Sequence, residues 1–391
     1  MALSLAIIII LGLSVNKIFT KFKLPGLLGM IILGIILGPY GFNIISEDLL
    51  NISSDLRKIA LIVILLRAGF GIKRDTLNRV GKTALKISFM PVVLEGFSIM
   101  VFGSYILGIS YVEAGILGFI IAAVSPAVIV PQMLGLISRR KGEEKGIPTI
   151  ILAGASVDDV VAITIFTALV GLYGTGQVNI FKQFVKIPIS ILMGIGLGVL
   201  VANLLIYLFK REGMRATKKT LVVLSVAIIL TAMEDYLINI IPIASLLGVM
   251  TIGFIILEKA PYISEQLSSK FNKIWVFAEI LLFVLVGAKV NIYVAVDAGL
   301  QGLIIIVIGL LARSLGVYIS LLGTDLNLKE KLFCIIAYIP KATVQAAIGA
   351  VPLSAGIPSG EIILALAVLA IMITAPIGAI GIQISADKFL S

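Results

Sequence analysis

Gly154-Ala155-Ser156-Val157-Asp158-Asp159-Val160-Val161-Ala162-Ile163-Thr164 sets two adjacent carboxylates in the middle of an apolar run from about residue 147 to 172. A run of that length reads as a membrane-spanning helix, because about 20 residues cross the hydrocarbon core. An ionised acid at the bilayer centre costs at least about 2.5 kcal/mol, so it persists only with a partner, an ion or a proton. Adjacent carboxylates repel and exchange protons as a unit. Two acids that hold either a cation or protons are the minimum equipment for trading one for the other. The competing reading of the pair is a plain helix-packing ion pair.

Composition agrees with a membrane setting. Of 391 residues, 60% are hydrophobic and 13% charged, against about 25% charged in ordinary soluble domains. Histidine is absent and Cys334 is the one cysteine, which excludes His-ligated zinc, Ser-His hydrolases and disulfide frameworks. No catalytic residue and no cofactor are expected, so the chain does not read as an enzyme. Proton handling falls to Asp, Glu, Lys or Arg. The first apolar run, Ala2 to about Ser14, ends in Asn16-Lys17 without a small-residue cleavage signature and is expected to stay as a helix.

Apolar segments recur at approximately 2–16, 25–42, 57–72, 84–107, 112–137, 147–172, 185–209, 219–233, 238–257, 272–288, 299–322, 331–353 and 360–384. The expected fold is an all-α polytopic membrane protein of about 13 transmembrane helices in one domain, residues 1–391. Connections after odd-numbered segments are basic: Lys17, Lys21 and Lys23; Lys73, Arg74, Arg79, Lys82 and Lys86; Arg139, Arg140, Lys141 and Lys145; Lys210, Arg211, Arg215, Lys218 and Lys219; Lys259, Lys270 and Lys273; Lys329 and Lys331. Those after even-numbered segments hold only Arg57, Lys58, Lys182, Lys186 and Lys289. The positive-inside rule then places odd connections in the cytoplasm, the N-terminus outside and the C-terminus inside. The net charge of +10 is accounted for by topology and anionic headgroups, so nucleic acid is not an expected partner.

Inside the segments few ionisable groups remain: Arg67, Glu95, Asp158, Asp159, Glu279, Arg313 and Lys341. Glu95, the Asp pair, Arg313 and Lys341 fall near the midpoints of different segments, which predicts one polar site at the membrane midplane. Segments 4–6 and 11–13 also correspond. Glu95 in Val92-Val93-Leu94-Glu95-Gly96-Phe97 matches Arg313 in Leu310-Leu311-Ala312-Arg313-Ser314-Leu315 in depth. Segment 5 is interrupted at Ser125-Pro126, with Pro131 beyond, and segment 12 at Pro340-Lys341-Ala342-Thr343; segment 6 carries the Asp pair and segment 13 Thr374-Ala375-Pro376. The offset of seven segments is odd, so the two copies are expected to be inverted, with paired broken helices marking a midplane site. Proline frees backbone groups there, half-helix ends of both signs meet, Lys341 offsets the negative ends, and Ser125 offsets the positive ends or touches the ion. Ordinary proline kinks are the plainer alternative.

These stretches carry a family resemblance. The sequence resembles monovalent cation/proton antiporters with an Asp-Asp motif on the sixth helix, above all sodium/proton antiporters of the NHA-type branch. The matching residues are Leu65-Leu66-Arg67-Ala68-Gly69-Phe70-Gly71, Ala122 to Val128, Gly154 to Ala162, Pro340-Lys341-Ala342-Thr343-Val344-Gln345-Ala346-Ala347, and Ile373 to Gly378. The resemblance implies the sodium/proton antiporter fold and a homodimer in the plasma membrane. It also implies an ion-translocation core (84–172 and 299–384) that moves against a dimerisation part (1–72 and 185–288). Asp159 matches the cation-binding aspartate and Asp158 its neighbour. Arg313 falls where many bacterial members pair a lysine with the first aspartate; in the NHA-type branch an arginine pairs with a glutamate, here Glu95. Many relatives carry a nucleotide-sensing domain after the last helix; only Ala386 to Ser391 follow here, so no soluble regulatory domain is expected.

The expected chemistry is direct competition of Na⁺ or Li⁺ with protons at Asp159, assisted by Asp158 and by backbone oxygens freed at the breaks. Only the neutralised site crosses the barrier, since moving a bare carboxylate is too costly. Glu95–Arg313 is expected to be a buried pair whose rupture costs about 3–5 kcal/mol. Arg67 reads as a helix-end or hinge residue, or as a side chain snorkelling to an interface. Glu279 fits a cytoplasmic funnel, and Ser156 is a secondary candidate. Four other readings are weighed against this one: a potassium/proton antiporter, a sodium-coupled organic-solute symporter, a cation channel and an intramembrane aspartyl protease. The protease needs aspartates on facing helices, whereas Asp158 and Asp159 lie about 100° apart on one.

Overall fold

In a bilayer no water satisfies exposed peptide groups, so apolar segments of this kind must close their hydrogen bonds internally, as helices. The computed structural model describes residues 1–22, 26–175, 180–237, 243–289, 293, 299–349 and 351–390, and no strand occurs among them. The long elements are α1 (Ala2–Lys21), α2 (Gly26–Leu37), α4 (Ser53–Gly71), α5 (Arg74–Leu107), α8 (Ile147–Thr175) and α9 (Ile180–Arg211). After them come α10 (Ala216–Leu237), α11 (Ser245–Lys259), α12 (Pro261–Ala288), α13 (Gly299–Ser320) and α17 (Gly360–Phe389). Two apolar segments are each split, into α6 (Tyr111–Ala122) with α7 (Pro126–Ser138), and into α14 (Leu328–Ala337) with α15 (Thr343–Ile348). Short α3 (Glu47–Asn51) and α16 (Val351–Ser354) complete the order.

Among the described residues, nine helical stretches are long and apolar enough to cross a membrane. The remaining apolar segments form α2, α4, α11 and the split pair α14–α15, so each of the thirteen has a helical counterpart. Two helices outrun their apolar segments farthest. α5 begins at Arg74 and runs for 34 residues, and α12 begins at Pro261. Basic residues read above as connections, among them Lys82, Lys86, Lys270 and Lys273, therefore stand on helix. Lys and Arg are good helix formers, and a helix has no reason to stop where the hydrocarbon does. Lys23 of the first connection, residues 176–179, and residues 238–242 at the start of the apolar segment 238–257 lie outside the described residues.

Two helix groups organise the chain. α5 packs along α6, α8 and α13, while α11 packs on α4, α9 and α12, α4 also on α12, and α2 and α10 on α12. Small residues permit the close crossings in the second group. A Cβ on Gly34 would stand 2.1 Å from Val284 O, and one on Gly69 2.1 Å from Met250 O. Close backbone approach of this kind is the usual packing device where lipid removes the hydrophobic drive between helices.

Candidate functional site

The two split segments are built alike. α6 opens with a capping box: Glu113 N–H donates to Ser110 Oγ, and Ser110 N–H donates to Glu113 Oε2 at 3.0 Å. α14 opens with another, in which Glu330 N–H donates to Asn327 Oδ1 and Asn327 N–H to Glu330 Oε2 at 2.7 Å. Reciprocal capping satisfies two otherwise orphaned donors at each start. After the break, Ser125 and Ala342 are the N-caps of α7 and α15. The pairs Ser110/Asn327, Glu113/Glu330 and Ser125/Ala342 share one constant sequence offset. The breaks touch where Ser125 N–H donates to Pro340 O at 2.9 Å, and Ser125 Oγ lies 3.4 Å from Thr343 Oγ1. Pro126 sits in the first turn of α7, where its missing N–H costs nothing, and Pro131 lies inside that helix.

Helix ends left open by such breaks carry partial charge. Arg313 answers two of them. Its Nε donates to Tyr338 O at 2.7 Å, at the end of α14, and its Nη1 donates to Ala122 O, the last residue of α6. The same guanidinium bonds Glu95 Oε2 through Nη1 at 2.7 Å and Asp158 Oδ1 through Nη2 at 2.9 Å. Lys341 Nζ donates to Glu95 Oε2 at 2.7 Å and lies 3.5 Å from Ala122 O. Asp158 Oδ2 accepts from Val124 N–H at 2.8 Å, beside the start of α7. All four side chains are buried. Two carboxylates thus stand against two cations, and the cluster is charge-balanced without Asp159.

Asp159 faces elsewhere. It is 6% exposed, its Oδ1 is buried with no hydrogen-bond partner, and it lines a cavity of about 150 Å³. Pro126 and Ser156 share that wall, with Thr164 and Thr167 farther along α8, Ser190 on α9, Glu234 on α10 and Ser245 on α11. Ser156 Oγ donates to Leu152 O at 3.0 Å and contacts Met250 Sδ at 3.2 Å. A second cavity, of about 230 Å³, is lined by Pro131, Gln132, Arg139, Glu279 and Gln383. The short link from α7 to α8 puts Arg139 near Ile147, and Thr167 lies 20 residues farther along α8, about 30 Å away at helical rise. The two cavities therefore approach the breaks from opposite ends of α8.

Arg67 and Glu279 stand outside the central cluster. Arg67 Nε donates to Asn272 Oδ1 at 2.7 Å and its guanidinium lies 5.3 Å from the Trp275 ring centroid, so it is held by α12. Glu279 is one turn farther along that helix, on the second cavity. Three contributors were given no role in the sequence reading, although Thr374 and Gln345 lie in stretches quoted there. Thr374 Oγ1 accepts Lys341 N–H at 2.9 Å; the neighbouring Pro376 lies within an α17 that runs unbroken. Gln345 Nε2 donates to the carbonyls of Ile120 and Ala123 at 2.9 and 2.8 Å, fastening α15 to the end of α6. Glu234 accepts from Ser245 N–H at 3.3 Å and from its hydroxyl. Gln345 belongs to the quoted Pro-Lys-Ala-Thr-Val-Gln string; Glu234 stands at the edge of an apolar segment, where an acid is unremarked.

The sodium/hydrogen exchanger transmembrane family matches residues 4–388. Sodium/hydrogen exchanger 9B2 of Homo sapiens is 32% identical over 398 residues, covering 97% of this chain and 72% of that protein. Sodium/hydrogen exchanger 9B1 of Homo sapiens is 31% identical over 394 residues, covering 94% and 73%. The sodium/proton antiporter MjNhaP1 from Methanocaldococcus jannaschii shares the fold with a TM-score of 0.80 at 24% identity, covering 98% of this chain and 97% of its own. Matched almost end to end in sequence and in fold, the chain belongs to the sodium/hydrogen exchanger family and is an integral membrane protein.

Proposed function

We propose that the protein exchanges Na⁺ or Li⁺ for protons by alternating access, with Asp159 as the carboxylate for which they compete. One observation carries the reading. Asp159 is the central carboxylate that lines a cavity with a buried oxygen lacking a partner, whereas both oxygens of Asp158 are engaged. Glu95, Arg313, Lys341 and Asp158 then form the frame that holds the breaks, and Ser125, Pro126, Pro340 and Thr343 the crossing. A dehydrated alkali cation meets Asp159 and nearby hydroxyl or backbone oxygens. A proton neutralises the same group, and only a neutralised Asp159 is carried across the low-dielectric barrier. This differs from ion binding by both aspartates, because Asp158 leaves the frame unsatisfied if it turns to the ion.

The moving core is assigned to residues 84–172 and 299–384, and residues 1–72 and 185–288 to the dimerisation part of a homodimer. The two split segments are taken as inverted copies, with the N-terminus outside and the C-terminus in the cytoplasm. On that orientation the Asp159 cavity opens outward and the Glu279 cavity inward. The plasma membrane is the assigned location, and the cation is read as Na⁺ or Li⁺, with K⁺ as the alternative. The test is cation-induced dissipation of a proton gradient in proteoliposomes, with Asp159→Asn beside wild type. Response to Na⁺ or Li⁺ that disappears in the variant supports the reading. A folded wild type silent to every alkali cation sinks it in favour of sodium-coupled solute symport.

A further inference from the structure

The second cavity, of about 230 Å³, brings together three polar side chains that the exchange chemistry does not use. Pro131, Gln132, Gly135, Leu136 and Arg139 follow one another at helical spacing along one face of α7 and onto its C-cap, and all of them line this space. Glu279 lines it from α12. On the exchange reading, α7 belongs to the moving core and α12 to the part it moves against. The cavity therefore lies on the boundary between the two.

None of the three polar groups has its natural partner in this conformation. Gln132 Oε1 and Nε2 are both buried without a hydrogen-bond partner. Arg139 folds back on its own helix, Nε donating to Gly135 O at 3.1 Å, and makes no ion pair among the described residues. Glu279 makes neither a hydrogen bond nor an ion pair among them, and Arg67, on α4, is tied instead to Asn272 and Trp275. A buried amide without partners loses its hydration and gains nothing in return, whereas a leucine of similar size fills the same place without that cost. Pro131 supplies a way out. Inside α7 it removes the bond to Ala127 O and bends the helix there, so the end that carries Gln132 and Arg139 can swing about it.

We propose that Gln132, Arg139 and Glu279 form an inner gate: when the core moves and the second cavity shuts, the Glu279 carboxylate accepts from the Gln132 amide and the Arg139 guanidinium together. The proposal rests on the exchange reading above. A bond between a guanidinium and a carboxylate is charge-assisted, and it strengthens as the closing space sheds its water. The gate holds the inner side shut while Asp159 faces outward. Opening it returns the three groups to the separated arrangement of this structure.

The experiment compares wild type, Glu279→Arg, Arg139→Glu, both substitutions together, and Gln132→Leu, in vesicles with the protein inserted in one orientation. Sodium-driven proton flux is read beside the labelling of a reporter, Gln383→Cys in the cavity wall, by a membrane-impermeant thiol reagent from the inner side. Each reversed charge opposes closure, so labelling is expected to rise about fivefold and maximal flux to fall about tenfold. The double variant restores opposite charges and returns both readings to within about twofold of wild type. Gln132→Leu keeps the volume without adding a charge and serves should a reversed charge fail to assemble; it raises labelling about twofold. Unchanged labelling in every variant, or a double variant no better than the single ones, overturns the gate. Slower flux with unchanged labelling does the same and leaves Glu279 as a counter-charge to Arg67. Failure of the parent reading looks different: wild type then shows no cation-driven proton flux, whatever its labelling, and the gate has no cycle to serve.

Discussion

Arg313 Nη2 donates to Asp158 Oδ1 at 2.9 Å, and this bond separates the work of two carboxylates that are neighbours in sequence. Asp158 completes a frame that also holds Glu95, Lys341 and the ends of two half-helices. Asp159, one residue on, is left to the cavity.

The two aspartates are therefore expected to fail in different ways. Asp159→Asn should abolish exchange while unfolding in detergent at or above the wild-type temperature, because it removes a buried charge outside the balanced cluster. Asp158→Asn cannot satisfy both Arg313 and Val124 N–H, so it should lose about 3–5 kcal/mol of stability, the range for breaking a buried ion pair. Thermal melting of the two variants side by side decides the matter; equal destabilisation would erase the distinction.

Arg313→Lys should be severe despite keeping the charge. The guanidinium serves Tyr338 O, Ala122 O, Glu95 and Asp158 together, and one ammonium cannot reproduce that fork. A melting temperature close to wild type, with exchange intact, would show that the frame tolerates a point charge.

Exchange should be electroneutral. With Glu95 and Asp158 balanced by Arg313 and Lys341, Asp159 carries one cation in one direction and one proton in the other. Clamping the membrane potential with potassium and valinomycin should leave the initial Na⁺-driven proton flux unchanged. A rate that tracks the imposed voltage would require a second titrating group.

Gln345→Leu should loosen the crossing without touching a charge. It removes the Nε2 donor shared by Ile120 O and Ala123 O, and buried acceptors left unsatisfied cost about 1–3 kcal/mol each. Faster hydrogen exchange at residues 120–125 than in wild type is the expected signature. Unchanged protection there would mean that Arg313, Lys341 and Asp158 hold the α6 end without it.

Hydropathy made the helical membrane class legible, because the bilayer leaves a chain few ways to satisfy its backbone. Each apolar segment reappears as a helix or a split pair. The capping boxes at Ser110 and Asn327 were also written in the chain, since capping is a relation among residues three apart. Helix length was less legible: the basic starts of α5 and α12 look like loops to a hydropathy reading, although charged residues continue a helix readily.

What the sequence by itself determined is the run of apolar segments and the few charges set within them, since both follow from local composition. That the chain breaks before Pro126 and at Pro340, yet runs on through Pro91, Pro131 and Pro376, was decided by the fold. The division of labour between Asp158 and Asp159 was decided only by the tertiary structure. A rotation of about 100° per residue turns adjacent side chains to different neighbours, and those neighbours, Arg313 and Val124 on one side and an open cavity on the other, come from distant parts of the chain. Glu234 shows the same limit. At the edge of an apolar segment it is one more acid, and only folding brings it to Ser245 at the start of α11 and to the cavity that Asp159 lines.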